Sequence, residues 1–284
     1  MISPEESVAD ARPVGAPRLV ATDVDGTLLG DDSEISARTA AVIERLVAGG
    51  TAFALVTGRP PRWIPPIAAK LPDGLVHWCV CANGAVLYDA VADEVLDART
   101  LAPEAVHTVA ATATELFPGC GLGIERVGSA ATGTFDEFLA EPGYVHAWGE
   151  SDAGPATRDE LLARPVTKLL IRSPELSSEQ MMRALAPRVG DLADLTFSHP
   201  NGLIEASAPG VTKATGLSGL ADRLGIARSD VVAFGDMPND REMLGWAGRG
   251  VAMGNAHPDL LALADEVTAP NSSDGVAEVL ERWF

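Results

Sequence analysis

Leu19-Val20-Ala21-Thr22 is an apolar run that stops at Asp23, and short apolar runs ending in polar clusters recur along the chain. Runs of this kind, without strict alternation, fit strands buried on both faces. Arg18 to Leu29 reads as a strand and then a loop. Thr51 to Val56 reads as a buried strand ending in Thr57-Gly58-Arg59, and Val76 to Ala82 as a third, ending at Asn83-Gly84. Between the first two, Ile35, Thr39, Val42, Ile43 and Leu46 recur at helical spacing, which predicts a helix over Ser33–Ala48 stopped by Gly49-Gly50. Pro60 and Pro61 can open the next helix. Strand, helix, strand, helix, strand predicts α/β architecture with a doubly wound parallel sheet.

After Val86 the pattern changes. Val86-Leu87-Tyr88 and Glu94-Val95-Leu96 read as two short strands around a polar turn. Helices are expected at Pro103–Leu116, Arg158–Ala163 and Ser177–Val189, and strands at Leu122–Val127, Val166–Arg172, Leu195–Ser198 and Gly202–Ala206. Gly128 to Gly133 and Glu141 to Pro155 read as loops. An α+β stretch of roughly 120 residues can bury its own core, so residues 87–206 are expected to form an inserted domain. Alternation resumes with a helix over Thr212–Leu224, a strand at Val231–Phe234, a short helix at Arg241–Trp246, a strand at Gly250–Met253, and helices at Pro258–Ala264 and Ser273–Trp283. Residues 17–86 and 207–284 are thus expected to make the core domain, behind a loosely ordered tail at residues 1–16.

Composition narrows the function classes. The chain has 284 residues, 46% hydrophobic and 21% charged, with a formal net charge of -19. Such a surface repels nucleic acid and anionic membranes, so neither is expected as a partner. It does not exclude a small anionic substrate, because surface charge is screened beyond about 8 Å at physiological salt. Cys79, Cys81 and Cys120 form no C-x-x-C pair and read as buried thiols, which fits a reducing cytoplasm. Met1 to Ala16 lacks the apolar core of a signal peptide. No apolar run approaches the roughly 20 residues that span a membrane.

The candidate chemistry lies just past the strand ends. Asp23-Val24-Asp25-Gly26-Thr27 places two carboxylates two residues apart behind a buried strand, where an unpaired charge is costly. Asp-Gly between apolar residues is also a hairpin signal. Thr57 can cap a helix, Asn83-Gly84 is a turn dipeptide, and Lys213 can be a surface lysine. Asp236, Asn239 and Asp240, after Val-Val-Ala-Phe, fit either a helix start or an oxygen-rich site for a hard cation. A lysine in the first turn of a helix opposes the helix dipole, and a bound anion would answer both. Ligands of open α/β sheets sit outside the carboxyl ends of the strands, which is where the clusters at Asp23, Thr57, Asn83 and Asp236 fall. A dinucleotide site fits poorly: Gly121-Leu122-Gly123 is followed by Arg126 and lies in the insertion.

Asp23-Val24-Asp25-Gly26-Thr27-Leu28, Val56-Thr57-Gly58-Arg59, Gly210-Val211-Thr212-Lys213 and Gly235-Asp236-Met237-Pro238-Asn239-Asp240 resemble, in order, the four motifs of haloacid dehalogenase (HAD) superfamily phosphatases. The resemblance is to the Cof-type, subclass IIB branch, and extends to Asn83-Gly84-Ala85, Met253-Gly254-Asn255-Ala256 and Asp274-Gly275-Val276-Ala277. It implies a Rossmann-like core with an α+β cap at the insertion. It implies Asp23 as nucleophile, Asp25 as acid/base, and Mg²⁺ held by Asp23, the Asp25 carbonyl and Asp236, with Asp240 orienting a neighbouring ligand. Thr57, the Gly58 amide, Lys213 and Asn239 would hold the phosphoryl oxygens, with Asn83 in support and Arg59 either touching substrate or bracing its loop. The expected activity is hydrolysis of a small phosphate ester, a sugar phosphate or nucleotide-like phosphate, by a monomer or small homo-oligomer. The alternative is a phosphomutase using the same aspartyl-phosphate; a non-catalytic binding module would not need both Asp residues, Lys213 and Asp236. In the insertion, Arg126, His146, Trp148 and Arg172 are the candidates for specificity.

Overall fold

The computed structural model describes residues 15–127, 137–146 and 153–284. Most of the expected tail, the expected loop at Gly128–Gly133, part of that at Glu141–Pro155, and Trp148 lie outside the described residues. The chain runs through β1 (Leu19–Thr22), α1 (Ala37–Ala48), β2 (Ala52–Val56), α2 (Pro65–Ala68), β3 (Trp78–Cys81), β4 (Val86–Asp89) and β5 (Glu94–Ala98). There follow α3 (Pro103–Leu116), β6 (Gly121–Arg126), β7 (Glu137–Ala140), β8 (Gly154–Pro155), α4 (Arg158–Leu162), β9 (Lys168–Arg172), α5 (Ser178–Val189), β10 (Asp194–Thr196) and β11 (Leu203–Ser207). The chain closes with α6 (Lys213–Leu224), β12 (Val231–Gly235), α7 (Arg241–Trp246), β13 (Arg249–Ala252), α8 (Pro258–Leu263), β14 (Glu266–Val267) and α9 (Gly275–Leu280).

The first sheet has the order β14-β13-β12-β1-β2-β3-β4-β5, with β14 through β3 parallel and β4 and β5 antiparallel. Both faces are covered, which is why its central strands read as unbroken apolar runs. Val20, Phe53, Leu55, Cys79 and Phe234 pack on the side of α1 and α9, with Val42, Ile43, Leu46 and Val276. Leu19, Ala54, Val56, Val80 and Ala233 face α6, α7 and α8 through Leu217, Leu220, Leu244 and Leu260. The chain winds from β1 outward through β2 and β3, and later from β12 outward through β13 and β14. The strand order therefore reverses between β1 and β12, and a crevice opens at their carboxyl ends.

The second sheet, β10-β11-β9-β6-β7-β8, carries α3, α4 and α5 on one face, where Leu122, Ile124, Leu169, Ile171 and Ile204 are buried. Its alternate residues, Glu125, Lys168, Leu170 and Glu205, face the other way, toward the crevice. The expected division after residue 86 falls inside an antiparallel extension of the first sheet, because β4 pairs with β3 from Val86 onward and β5 pairs with β4. The change of sheet comes after Ala98. Strands β7, β8 and β14 were not expected: β8 and β14 have two residues each, and β8 lies at the end of the expected loop Glu141–Pro155. No helix among the described residues is long and apolar enough to cross a membrane.

Candidate active site

Beyond Thr22 the chain does not form a hairpin. Asp23 N donates to Phe234 O at 3.0 Å, holding the loop to β12. Residues Val24–Leu28 then make one wide turn, closed by Leu28 N to Asp23 O at 3.3 Å and Leu29 N to Val24 O at 2.9 Å. Gly26 has φ +74°, and a Cβ there would run into the Asp236 carboxylate, so glycine is required on both counts. The turn brings the Thr27 hydroxyl to Asp236 Oδ1 at 3.0 Å. The first and fourth motifs, 209 residues apart, thus meet at adjacent strand ends.

Lys213 completes the cluster. Thr212 caps α6 in a reciprocal box with Thr215, and Lys213 follows as the first helical residue. Its side chain is fully buried and donates to Asp23 Oδ1 at 2.7 Å and to Asp240 Oδ1 at 2.6 Å. Asp240 Oδ2 accepts the Asp236 and Met237 amides, both at 3.0 Å, so its two oxygens are committed to positioning Lys213 and the Asp236 loop. Against the depressing effect of burial, the Asp23 and Asp240 charges hold the Lys213 ammonium well above its ordinary value. Burial, then the Asp240 charge, pushes the Asp23 carboxyl well above the usual carboxylate range, with Lys213 opposing. Burial and Asp240 push Asp236 up to about 7.

Three buried carboxylates against one ammonium leave the cluster short of positive charge. One ligand atom from each of Asp23, Asp236 and Asp240 lies within 4.8 Å of the others. All are oxygen, which fits a hard cation such as Mg²⁺. With Asp240 committed elsewhere, Asp23 and Asp236 are the side chains that can hold it.

The other expected residues surround this cluster in different ways. Asp23, Asp25, Gly58, Arg59 and Asn239 line a cleft of about 470 Å³ between the two sheets. Thr57 is buried beneath it, and its hydroxyl accepts the Arg59 amide at 3.1 Å. Arg59 forks onto Asp25 through Nε to Oδ2 at 2.8 Å and a terminal nitrogen to Oδ1 at 2.5 Å, which gives it the loop-bracing position. Asn83 has φ 56° and its Oδ1 accepts from Asn239 Nδ2 at 3.1 Å, while Asn239 Oδ1 is buried without a hydrogen-bond partner among the described residues.

Three cleft residues escaped the sequence reading: Glu125, Lys168 and Glu205. Each is at most 3% exposed. Lys168 Nζ donates to Gly58 O at 2.5 Å and stands 3.5 Å from Glu205 and 3.8 Å from Glu125. Glu205 accepts from Asn83 and, at 2.9 Å, from Ser198 Oγ. The available signal was a lone charge inside an apolar strand, as in Leu-Gly-Ile-Glu, Lys-Leu-Leu-Ile and Leu-Ile-Glu-Ala. Of the insertion residues that were singled out, His146 lines the cleft. Arg126 instead donates to Pro165 O at 3.0 Å and Leu161 O at 2.7 Å, and Arg172 to Asn201 O at 2.6 Å. Both bind backbone carbonyls.

Residues 20–280 match the family model of haloacid dehalogenase-like hydrolases. The chain is 32% identical over 271 residues to 5-amino-6-(5-phospho-D-ribitylamino)uracil phosphatase YitU of Bacillus subtilis, covering 94% of this chain and 98% of that protein. It is 31% identical to the HMP-PP phosphatase of Cronobacter sakazakii, covering 94% of this chain and 96% of the relative. The solved structure of the HAD subclass IIB sugar phosphatase BT4131 superposes with TM-score 0.79 at 24% identity, covering 93% of this chain and 98% of that one. A haloacid dehalogenase-like hydrolase from Bacteroides thetaiotaomicron has TM-score 0.72 and 26% identity, covering 94% and 99%.

Proposed function

Because the chain belongs to the haloacid dehalogenase-like hydrolases, in their Cof-type branch of phosphate-ester hydrolases, we propose that it is a Mg²⁺-dependent phosphatase working through a phosphoryl group carried on Asp23. Its substrate is a small phosphorylated metabolite, of the sugar-phosphate or nucleotide-like kind. One observation supports this most: a buried carboxylate, Asp23, reaches the cleft with one oxygen held by a buried lysine and Asp236 beside it.

Asp23 attacks phosphorus, and its O–P bond forms as the bond to the leaving oxygen breaks. Asp25 gives that oxygen its proton, then takes one from the water that cleaves the phosphoaspartate. In the structure each Asp25 oxygen accepts one hydrogen bond from Arg59, which orients the carboxylate and leaves a second lone pair on each oxygen. An ammonium has three protons, and Lys213 uses two on Asp23 and Asp240. The third is left for a phosphoryl oxygen, with Thr57, the Gly58 amide and Asn239 as further donors. Asp23, Asp236 and the Asp25 carbonyl would hold Mg²⁺, which supplies positive charge to the phosphoryl group when bound. The inserted domain acts as a cap over the cleft, and the buried free thiols Cys79, Cys81 and Cys120 suit a cytoplasmic location.

The test is phosphate release from a panel of phosphorylated metabolites with Mg²⁺, comparing wild type with Asp23→Asn. Steady release of inorganic phosphate by the wild type distinguishes hydrolysis from phosphoryl transfer between substrates. Undiminished release by a folded Asp23→Asn protein would refute the nucleophile.

A further inference from the structure

The cleft end formed by the inserted domain carries its own charge balance. Glu125, Lys168 and Glu205 stand on three adjacent strands, with Glu125 directly opposite Lys168 in the β6–β9 register and Glu205 opposite Leu170 in β9–β11. Period-two alternation points all three away from the apolar core under α3 and α5. Their hydrogen bonds are unevenly distributed. Glu205 has Asn83 and Ser198, and Lys168 has the Gly58 carbonyl. Glu125 Oε1 accepts from Arg62 at 3.3 Å, but Glu125 Oε2 is buried with no hydrogen-bond partner among the described residues. The Lys168 ammonium stands 3.8 Å from it, beyond hydrogen-bond reach. Burial pushes the Glu125 carboxyl up, as expected for an acceptor short of donors.

A buried carboxylate oxygen without a donor is costly unless something supplies one. The charges counted here, two glutamates against Lys168 and Arg62, balance, so the cluster carries no net positive charge to draw an anion. The cleft volume of about 470 Å³ equals about fifteen waters of liquid, room for a phosphoryl group and a leaving group of modest size. Trp63 and Leu170 supply apolar wall beside the charges.

We infer that Glu125, flanked by Lys168 and Glu205, is the specificity determinant of this site: it accepts a hydrogen bond from a hydroxyl or N–H on a neutral leaving group and rejects one bearing its own carboxylate or phosphate. The inference rests on the phosphatase reading and adds the chemical class of the leaving group. A site built to hydrogen-bond its substrate discriminates strongly, because the wrong partner leaves a buried group unpaired.

The test uses a matched pair, sorbitol 6-phosphate and 6-phosphogluconate, which share chain length and differ in a terminal hydroxymethyl against a carboxylate. Wild type should favour the alditol ester in kcat/KM by at least about 100-fold. Glu125→Gln keeps the volume, replaces one acceptor by a donor, and should reduce that ratio by about tenfold or more. A merely structural role would lower both substrates together and leave the ratio alone. Acetyl phosphate, whose leaving group is too short to span the cleft, tests the phosphatase reading separately. If it is hydrolysed and the wild type shows no preference for the alditol ester, the inference fails and the phosphatase reading stands; this arm holds even if the variant does not fold. An unchanged ratio in folded Glu125→Gln also overturns it. If nothing on the panel is hydrolysed, both fail.

Discussion

Lys213→Met isolates the charge at the centre of the site. Methionine is close to lysine in length, so the variant removes the ammonium with little change in volume. In the wild type that ammonium lies 2.7 Å from Asp23 and 2.6 Å from Asp240, all three groups being buried. Removing one partner of a buried ion pair costs about 3–5 kcal/mol, because the remaining charge is stranded. For a chain of this size that corresponds to a fall in Tm of roughly 6–10 °C. The cost should depend on pH. Lys213 is the main group holding the Asp23 carboxyl down against burial and Asp240, so its loss raises Asp23 further. A carboxyl raised in the folded state takes up a proton there before the unfolded chain does, so its effect on stability worsens as pH rises. The Tm difference between Lys213→Met and wild type should therefore be larger at pH 8 than at pH 5.5. Thermal unfolding in chelator at the two pH values measures it. A difference that is the same at both, or under about 2 °C at pH 8, would show that Lys213 does not neutralise the cluster. Turnover should fall by about 10²–10³ or more, the scale for losing one donor to developing negative charge.

The same electrostatics govern the cation. Asp236 is pushed up to about 7 from an ordinary 3.8, so stability of the chelated protein should fall as pH rises through that interval. Mg²⁺ competes with the proton, so it should raise Tm more at pH 8 than at pH 5.5, and an equal shift at both would count against Asp236 as a ligand. Asp25→Asn should lose about 10²–10⁴ in kcat and accumulate phosphorylated protein, detectable as a mass increase that wild type does not show. Gly84→Ala should lower both Tm and kcat: φ is +99° and a Cβ would overlap the Thr212 carbonyl, displacing the start of α6 and Lys213 with it. Unchanged kcat in that variant would mean Lys213 is not held from this contact.

What the sequence revealed, and what it hid, follows from how each side chain is buried. Core strands covered on both faces leave no polar positions, so the first polar residue after each run marks a strand end. Asp23, Thr57, Asn83 and Asp236 stand out for that reason, and the structure brings Asp23 and Asp236 together from opposite ends of the chain. Lys213 was visible as a cation at the wrong end of a helix, and its two carboxylate partners explain it. In the inserted domain the same signal fails. Its sheet has helices on one face only, so a lone charge on the other face reads as ordinary solvent-facing surface. Glu125, Lys168 and Glu205 become unusual only when that face is laid over the first sheet and the register sets Glu125 against Lys168. Arg126 shows the converse. It has the parity of Leu122 and Ile124, so it turns toward the helices and binds the carbonyls of Pro165 and Leu161. The chemistry of phosphoryl transfer is written in local strand-end motifs, whereas discrimination between leaving groups depends on pairing across three strands separated by up to 80 residues, from Glu125 to Glu205. A substitution at Glu125 should thus change which ester is chosen, and one at Lys213 how fast any ester is cleaved.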